Sequence, residues 1–263
     1  MTMTPDPLDA PAIRWGILGA GGIAHKMADA ITNYTASEVV AIGARDLAKA
    51  QACADETGIP KAYGSYEELV AADDIDAIYV ATPHSHHRDH AILAIEAGKH
   101  VLVEKAFTQN TEQAREVLAA AEAKGVYVQE AMWARYLPHY RAIRDLVRSG
   151  AIGDVIEVQA DHGQPIAHIP RMAQPELAGG ALLDLGVYPI SFAHFMLGAP
   201  DEVHALGSLT DAGVDAQVAM TWVVGGRPIA NLTTTMLAKT PCRATISGTE
   251  GRIEIDGVFY NPT

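Results

Sequence analysis

Three residues of the chain combine side-chain chemistry and position in a way that could move a proton. Lys105 ends the apolar run His100-Val101-Leu102-Val103-Glu104-Lys105, so a strand would carry its ammonium to a sheet edge. Asp184 and Tyr188 lie four residues apart in an otherwise apolar segment, and a helix would bring them to one face. These groups could form an acid/base unit, or they could be a strand-ending lysine and a buried hydrogen-bonded pair. Both interpretations stay open from these residues alone.

Strands and helices must position Lys105, Asp184 and Tyr188. The first of these elements include a glycine turn near the start of the chain. The apolar run Ile13–Leu18 is followed by a turn and the start of a helical pattern, formed by Gly19, Ala20, Gly21, Gly22, Ile23 and Ala24. Gly19 would permit a tight turn, Gly21 would let the backbone approach a pyrophosphate, and Ala24 would allow close helix packing. The N–H groups of the first helical turn suit a diphosphate. A second strand-like run, Glu38–Gly43, completes a βαβ unit, so the sequence predicts a dinucleotide site.

The end of that second strand bears on the choice of dinucleotide. An NAD site usually places Asp or Glu there, whereas an NADP site offers a small residue and an arginine. The chain reads Gly43-Ala44-Arg45-Asp46, in which Ala44 cannot bind a ribose hydroxyl and Arg45 could pair with a 2′-phosphate. In the alternative interpretation Arg45 only solvates a helix start and Asp46 binds the ribose. The residue types favour NADP, with NAD the less favoured cofactor.

Composition and charge exclude several classes of protein. The chain has 263 residues, of which 49% are hydrophobic, and a net charge of −13, so we expect neither a nucleic-acid nor an anionic-membrane surface. No apolar segment is expected to span a bilayer, and Met1–Pro11 lacks the basic and apolar regions of a signal peptide. Cys53 and Cys242 are expected to be reduced thiols, with one disulfide as the alternative. A cytoplasmic location follows as an expectation.

The pattern of strands and helices changes in the middle of the chain. Residues 12–132 alternate strand-like and helical segments, which predicts a doubly wound parallel sheet with ligands at the carboxyl ends of its strands. Residues 133–263 carry mostly alternating polar and apolar segments separated by turns, which predicts an antiparallel sheet. The predicted fold class is an α/β Rossmann domain with a doubly wound parallel sheet, followed by an α+β domain with a mainly antiparallel sheet.

Four motifs in order resemble the family of glucose-fructose oxidoreductase and inositol dehydrogenase. They are GILGAGGIA, ATPHSHH, AGKHVLVEK and GGALLDLGVYP, and the likeness extends over nearly the whole chain from Ile13. The resemblance implies a Rossmann domain holding NAD or NADP, an open-faced C-terminal sheet, and oxidation of a sugar or cyclic-diol hydroxyl. It also implies that sheet faces pair in a homodimer or larger assembly, and we expect the open face to be apolar.

The resemblance also implies roles for individual residues. Glu104-Lys105 matches the dipeptide that carries the catalytic lysine, and Asp184 matches the aspartate of the catalytic helix. Tyr188 stands where many members have histidine, which resembles the branch of NADP-linked aldose dehydrogenases and dimeric dihydrodiol dehydrogenases. Further cofactor contacts would come from Thr82, Pro83, His84, His87 and Glu104, and further substrate contacts from Trp133 and Arg135 at the domain boundary and His162 in a polar loop.

The chain departs from the family pattern in three places. Ala106 follows the lysine in place of the usual proline, so we expect no cis peptide there. His84 replaces a common asparagine, and the chain ends at Thr263 soon after a strand, which shortens the second domain relative to the family. His86 and His90 are four residues apart, but no further ligand at suitable spacing completes a metal site, so no metal is expected.

These observations together predict hydride transfer between NADP and a carbinol of a sugar or cyclic polyol or diol. Lys105 and Tyr188 would share the hydroxyl, with Asp184 orienting them electrostatically, and the sequence does not decide which of the two takes the proton. One alternative is a trans-dihydrodiol dehydrogenase of the same branch. Another is a non-catalytic nucleotide-binding scaffold or sensor with a shortened C-terminus.

Overall fold

The computed structural model describes residues 6–261 and divides them into two compact units. The first unit contains residues 6–131 and the second contains residues 132–261. Both cysteines, Cys53 and Cys242, are buried free thiols.

The first unit is a parallel sheet with helices on both faces. Its strands are β1 (Arg14–Leu18), β2 (Glu38–Gly43), β3 (Ala62–Tyr63), β4 (Ala77–Val80), β5 (His100–Val103) and β6 (Val128–Glu130). Its helices are α1 (Gly22–Tyr34), α2 (Leu47–Thr57), α3 (Tyr66–Val70), α4 (His87–Glu96) and α5 (Thr111–Lys124). The strand order β3-β2-β1-β4-β5-β6 is that of a dinucleotide-binding fold, which confirms the predicted fold class.

Burial on both faces explains why β1 reads as a continuous apolar run. Successive strand residues point to opposite faces. Ile17 therefore lies in a cluster with Ala28 of α1, and Leu18 lies in another with Ala91 of α4. Because both side chains are fully buried, the carboxyl end of β1 is fixed and Gly19 begins the turn at the sheet edge.

The second unit packs helices on one face of a six-stranded sheet. Its helices are α6 (Pro138–Arg148) and α7 (Val187–Leu197), and its strands are β7 (Val155–Gly163), β8 (Glu202–Leu209), β9 (Asp215–Val223), β10 (Ile229–Thr235), β11 (Ala244–Gly248) and β12 (Arg252–Ile255). The order is β12-β11-β7-β10-β9-β8. The pair β7 and β10 is parallel and the other neighbours are antiparallel, so the sheet is mixed. The long connection through α7, β8 and β9 permits the one parallel pair.

The open face of this sheet is polar, so the expectation of an apolar face is wrong. The hydroxyl of Thr221 donates to Asn231 Oδ1 at 3.0 Å, and Asn231 Nδ2 donates to Glu157 Oε1 at 2.9 Å. These bonds join β9, β10 and β7 across the face. The period-2 alternation turns the apolar side chains of these strands, including Leu232, toward α7 and leaves the amides and hydroxyls outside.

One helical stretch among residues 6–261 has the length and composition to cross a bilayer. It is Pro175–Leu197, and the expectation that no such segment exists is wrong by this criterion. Within this stretch, 56% of the most apolar 18-residue segment is buried inside the fold. Such burial is typical of a core helix, which reaches the same hydropathy because it is covered by protein.

Candidate active site

The glycine turn after β1 fits the close approach of a diphosphate. Gly19 has φ +114°, and a Cβ there would lie 2.9 Å from the carbonyl oxygen of Ala81, so the fold itself requires glycine. Gly21 is different, because it precedes α1 in extended conformation and a Cβ would meet no atom within 4 Å. No neighbour in the described chain requires glycine at position 21. The backbone there and the first-turn N–H groups of Gly22 and Ile23 suit a ligand that comes close.

The turn after β2 assigns different tasks to two adjacent charged residues. The carboxylate of Asp46 accepts a hydrogen bond from the backbone N–H of Ala48 at 2.9 Å and caps α2. This bond uses one carboxylate oxygen, Oδ1, so the interpretation in which Asp46 binds a ribose hydroxyl stays open. Arg45 is exposed, and in the part of the chain that the structure describes it forms no hydrogen bond or ion pair.

Lys105 follows β5 on a backbone held by the carboxylate of Glu104. That carboxylate accepts from the backbone N–H of Lys105 at 3.0 Å and from the hydroxyl of Tyr79. Burial raises the pKa of Glu104. Glu104 thus positions the lysine backbone, and its expected contact with the cofactor stays a prediction.

Two histidines hold the peptide that follows the lysine. His84 Nε2 lies 3.2 Å from the carbonyl oxygen of Lys105, and His87 Nδ1 lies 2.8 Å from that of Ala106. His87 Nε2 lies 2.8 Å from the carbonyl oxygen of Thr82, and burial lowers the pKa of this ring. The Lys105–Ala106 bond is cis, so the expectation of a trans bond is wrong. The expectation rested only on the absence of a proline. In the structure, side chains contact the carbonyl groups of both Lys105 and Ala106.

The remaining histidines of this segment support the loop after β4. His90 Nδ1 lies 2.9 Å from the hydroxyl of Thr82, and its ring contacts Tyr66 at 4.7 Å and His86 at 5.4 Å between ring centres. Burial lowers the pKa of His90 to about 4. Pro83 starts the short 3-10 turn that follows. Within residues 6–261 there is no cluster of three side chains suited to a metal ion.

In the second unit Asp184 lies in a π-helical turn, Leu182–Gly186, that precedes α7. Its side chain is 9% exposed, and its two oxygens lie 3.1 and 3.2 Å from Nη2 of Arg171. The turn begins where the carboxylate of Asp215 accepts from the N–H of Leu182 at 2.6 Å. Gly180 is required beside it, since a Cβ there would lie 2.1 Å from Asp215 Oδ1.

Tyr188 lies in a cluster of aromatic side chains. Its hydroxyl accepts a hydrogen bond from Trp133 Nε1 at 3.1 Å. Its ring lies 4.5 Å from that of Tyr260 and 5.2 Å from that of His162. Tyr188 and His162 are both buried, and Trp133 is 37% exposed.

The structure places two of the expected substrate contacts differently. His162 lies in β7, so its assignment to a polar loop is wrong. Its ring is 1% exposed, with Nδ1 at 3.0 Å from the carbonyl oxygen of Leu185. Arg135 donates through Nε to the hydroxyl of Ser191 at 2.8 Å, which ties it to α7. Both residues support the helix that carries Tyr188.

Sequence reasoning missed Arg171 and Tyr260. Arg171 reaches Asp184 from a 3-10 turn, Pro170–Ala173, across irregular backbone in which no periodicity links the two residues. Tyr260 follows the last strand, and nothing in the local pattern connects it to α7. The one available signal was that Arg171 precedes the buried carboxylate by only 13 residues in the chain.

Comparison with known proteins identifies relatives along almost the whole chain. A family model described as an oxidoreductase family with an NAD-binding Rossmann fold matches residues 13–132, and the GFO/IDH/MocA C-terminal domain matches residues 140–254. A trans-1,2-dihydrobenzene-1,2-diol dehydrogenase from Xenopus laevis is 41% identical over 256 residues, which cover 96% of this chain and 78% of the relative.

Two solved structures extend the likeness to three dimensions. A 3-ketoreductase mutant from Actinomadura kijaniata, in complex with TDP-benzene and NADP, is 29% identical with a TM-score of 0.86, over 96% of this chain and 78% of that one. An aldose-aldose oxidoreductase from Caulobacter crescentus, complexed with glycerol, is 27% identical with a TM-score of 0.86, over 94% and 77%. By the matched domains and the identity to its relatives, this chain belongs to the GFO/IDH/MocA family of oxidoreductases, with an NAD(P)-binding Rossmann domain.

Proposed function

We propose that the protein is an NADP-linked dehydrogenase that oxidises one hydroxyl of a cyclic polyol or diol, with trans-dihydrodiols as the favoured substrates. The observation that carries this proposal is the placement of the Tyr188 phenol among Trp133 and Tyr260. Aromatic walls around a hydroxyl group suit a substrate that is itself an unsaturated ring bearing hydroxyls. The relative from Xenopus laevis, a dihydrobenzene-diol dehydrogenase, supports the same class.

The choice of NADP is supported by the turn after β2. One carboxylate oxygen of Asp46 caps α2, whereas the guanidinium of Arg45 is exposed beside the start of the same helix. A 2′-phosphate would meet a guanidinium and a helix N-terminus together. The diphosphate would be held by the turn at Gly21 and Gly22.

The chemistry requires a hydride acceptor and a proton acceptor. A bound nicotinamide supplies the acceptor for the hydride and its electron pair. We propose that either Lys105 or Tyr188, in its deprotonated form, accepts the hydroxyl proton while the other forms a hydrogen bond to the same oxygen, so that the carbon–oxygen double bond forms as the O–H and C–H bonds break. Asp184 would orient these two groups electrostatically, and its ion pair with Arg171 would hold the carboxylate in place.

The test is a substrate screen with the purified protein. Trans-dihydrodiols, inositols and aldoses are each supplied with NADP⁺ or NAD⁺, and reduced nicotinamide is followed by absorbance. We expect turnover with NADP⁺ and a trans-dihydrodiol. Turnover only with aldoses would overturn the substrate assignment, and NADP binding without turnover on any class would favour a sensor.

We also propose a cytoplasmic location and a homo-oligomer, with a small molecule as the substrate and no nucleic-acid partner. The net charge of −13 supports the last point, since an acidic surface repels the extended phosphate backbone of a nucleic acid. Fractionation of cells that produce the protein would test its location.

A further inference from the structure

The hydrogen bond between Trp133 and Tyr188 has a fixed direction. An indole N–H only donates, so the phenol oxygen must be the acceptor of this 3.1 Å bond. The hydrogen of the Tyr188 hydroxyl therefore points away from the indole. The indole of Trp133 thus fixes the orientation of the Tyr188 hydroxyl, which is the group proposed to exchange a proton.

A second contact fixes the phenol ring. The ring of Tyr260 lies 4.5 Å from that of Tyr188 at an angle of 33°. The hydroxyl of Tyr260 lies 2.8 Å from His162 Nε2 and 3.0 Å from Gln164 Nε2. Because His162 Nδ1 faces the carbonyl oxygen of Leu185, Nε2 is the acceptor and Tyr260 donates to it. Tyr260 is thus anchored independently of Tyr188.

The second tryptophan of this unit, which is buried, shows that the contact is not a general consequence of packing. Trp222 is 6% exposed, and its Nε1 has no hydrogen-bond partner in the described structure. Trp133 is more exposed at 37%, yet its N–H meets the phenol oxygen. An exposed indole could direct its N–H to water at no cost, so a directed bond to Tyr188 indicates a specific role.

We propose that Trp133 is a positioning residue whose indole N–H orients the Tyr188 hydroxyl for proton exchange, while Tyr260 holds the phenol ring. The inference rests on the proposed function, in which Tyr188 acts on the substrate hydroxyl. Its consequence is that loss of the indole N–H lowers turnover through Tyr188, beyond any effect on substrate contact.

Steady-state kinetics on Trp133→Phe, Tyr188→Phe and the double variant tests this consequence. Phenylalanine keeps an aromatic ring at position 133 and removes the donor. We expect kcat to fall on the order of ten-fold in the wild-type background, the scale of one hydrogen bond, and not to fall further in the Tyr188→Phe background. An equal fall in both backgrounds, or a change in KM alone, would show that Trp133 only lines the site. Trp222→Phe is the matched control and should leave kcat unchanged.

The hydrogen bond has its own readout, which does not depend on turnover. The chain has three tryptophans, so ¹⁵N labelling gives three indole N–H resonances, and Trp133→Phe identifies one of them. We expect Tyr188→Phe to move that resonance and leave the other two in place. An unmoved resonance would overturn the inference. A moved resonance in a protein without turnover would instead contradict the proposed function and leave the hydrogen bond established.

Discussion

The backbone around Lys105 is held by side chains from three neighbouring positions. The Glu104 carboxylate holds the lysine N–H, and His84 and His87 face the carbonyl oxygens of Lys105 and Ala106. These contacts fix the backbone on both sides of the lysine Cα. A fixed backbone limits the directions in which the lysine side chain can extend, which suits the role proposed for Lys105.

Replacing Lys105 by methionine tests the role of the ammonium. Lys105→Met retains the apolar stem and removes the proton carrier, so we expect turnover to fall ~10²-fold or more. NADP should still bind, which a fluorescence titration would measure. The matched control is Lys124→Met, at a lysine that pairs with Glu96 at the end of α5. Near-normal turnover of the Lys105 variant would leave Tyr188 as the acid/base group.

Arg45 permits a test of cofactor choice at a single side chain. Arg45→Ala should weaken NADP binding by roughly 1.5–3 kcal/mol, the scale of a charge-assisted hydrogen bond, with little change for NAD. Calorimetric titration with each cofactor would measure this difference. Arg148→Ala, at an exposed arginine of α6, is the control. Equal losses for both cofactors would show that Arg45 does not bind the 2′-phosphate.

At the scale of elements, motif order and periodicity predicted the parallel sheet and the residues at its strand ends, because local spacing encodes both. Partners brought together by irregular backbone could not be predicted. Arg171 reaches Asp184 from a 3-10 turn, and Tyr260 reaches Tyr188 from the segment after β12. Such contacts depend on tertiary packing, which no sequence period records. The cis bond after Lys105 was missed for the same reason.

Two buried histidines of helix α4, His87 and His90, predict how the stability of the fold depends on pH. Burial and the neighbouring His86 lower the pKa of His90 to about 4, with a smaller opposing effect of Asp89, and burial also lowers that of His87. An unfolded histidine has a pKa near ~6.5, so between these values the unfolded chain binds more protons and stability falls as pH falls.

Thermal unfolding should therefore show a Tm that decreases between about pH 7 and about pH 5, where the histidines of an unfolded chain gain protons. We expect His90→Asn to reduce this decrease, because asparagine can still bond the hydroxyl of Thr82 but does not titrate. His204→Asn, at an exposed histidine of β8, should leave the slope as in the wild type. An unchanged slope in the His90 variant would contradict the assignment.

At the scale of the whole molecule, the open face of the second sheet is polar. Assembly is therefore not expected to gain its free energy from burial of an apolar sheet face. Thr221, Asn231 and Glu157 already bond to one another across it, so burying this face would not gain the free energy of an apolar one. Leu206 on the edge strand β8 is an exception, since it is 83% exposed and pairs with Ala219 on the same face.

We predict a homodimer or larger assembly in which Leu206 contributes apolar contact. Light scattering at micromolar concentration should give a multiple of the 27.9 kDa chain mass, and Leu206→Glu should shift it toward a single chain. Leu118→Glu, at an exposed leucine of α5, is the control and should not change the mass. A single-chain mass for the unmodified protein would count against the prediction.

The orientation of Asp184 relative to Tyr188 depends on the number of residues in the π-helical turn at Leu182–Gly186. A π-turn accommodates one residue more than an α-helix along the same path. Deleting one residue of this turn after Asp184 would allow a continuous α-helix to form, so the fold would tolerate the deletion. Each residue of an α-helix turns by about 100°, so Asp184 would rotate by that angle relative to Tyr188. A one-residue deletion after Asp184 should therefore leave the chain able to fold while lowering turnover, a separation of foldability from catalysis that is set by helical register alone.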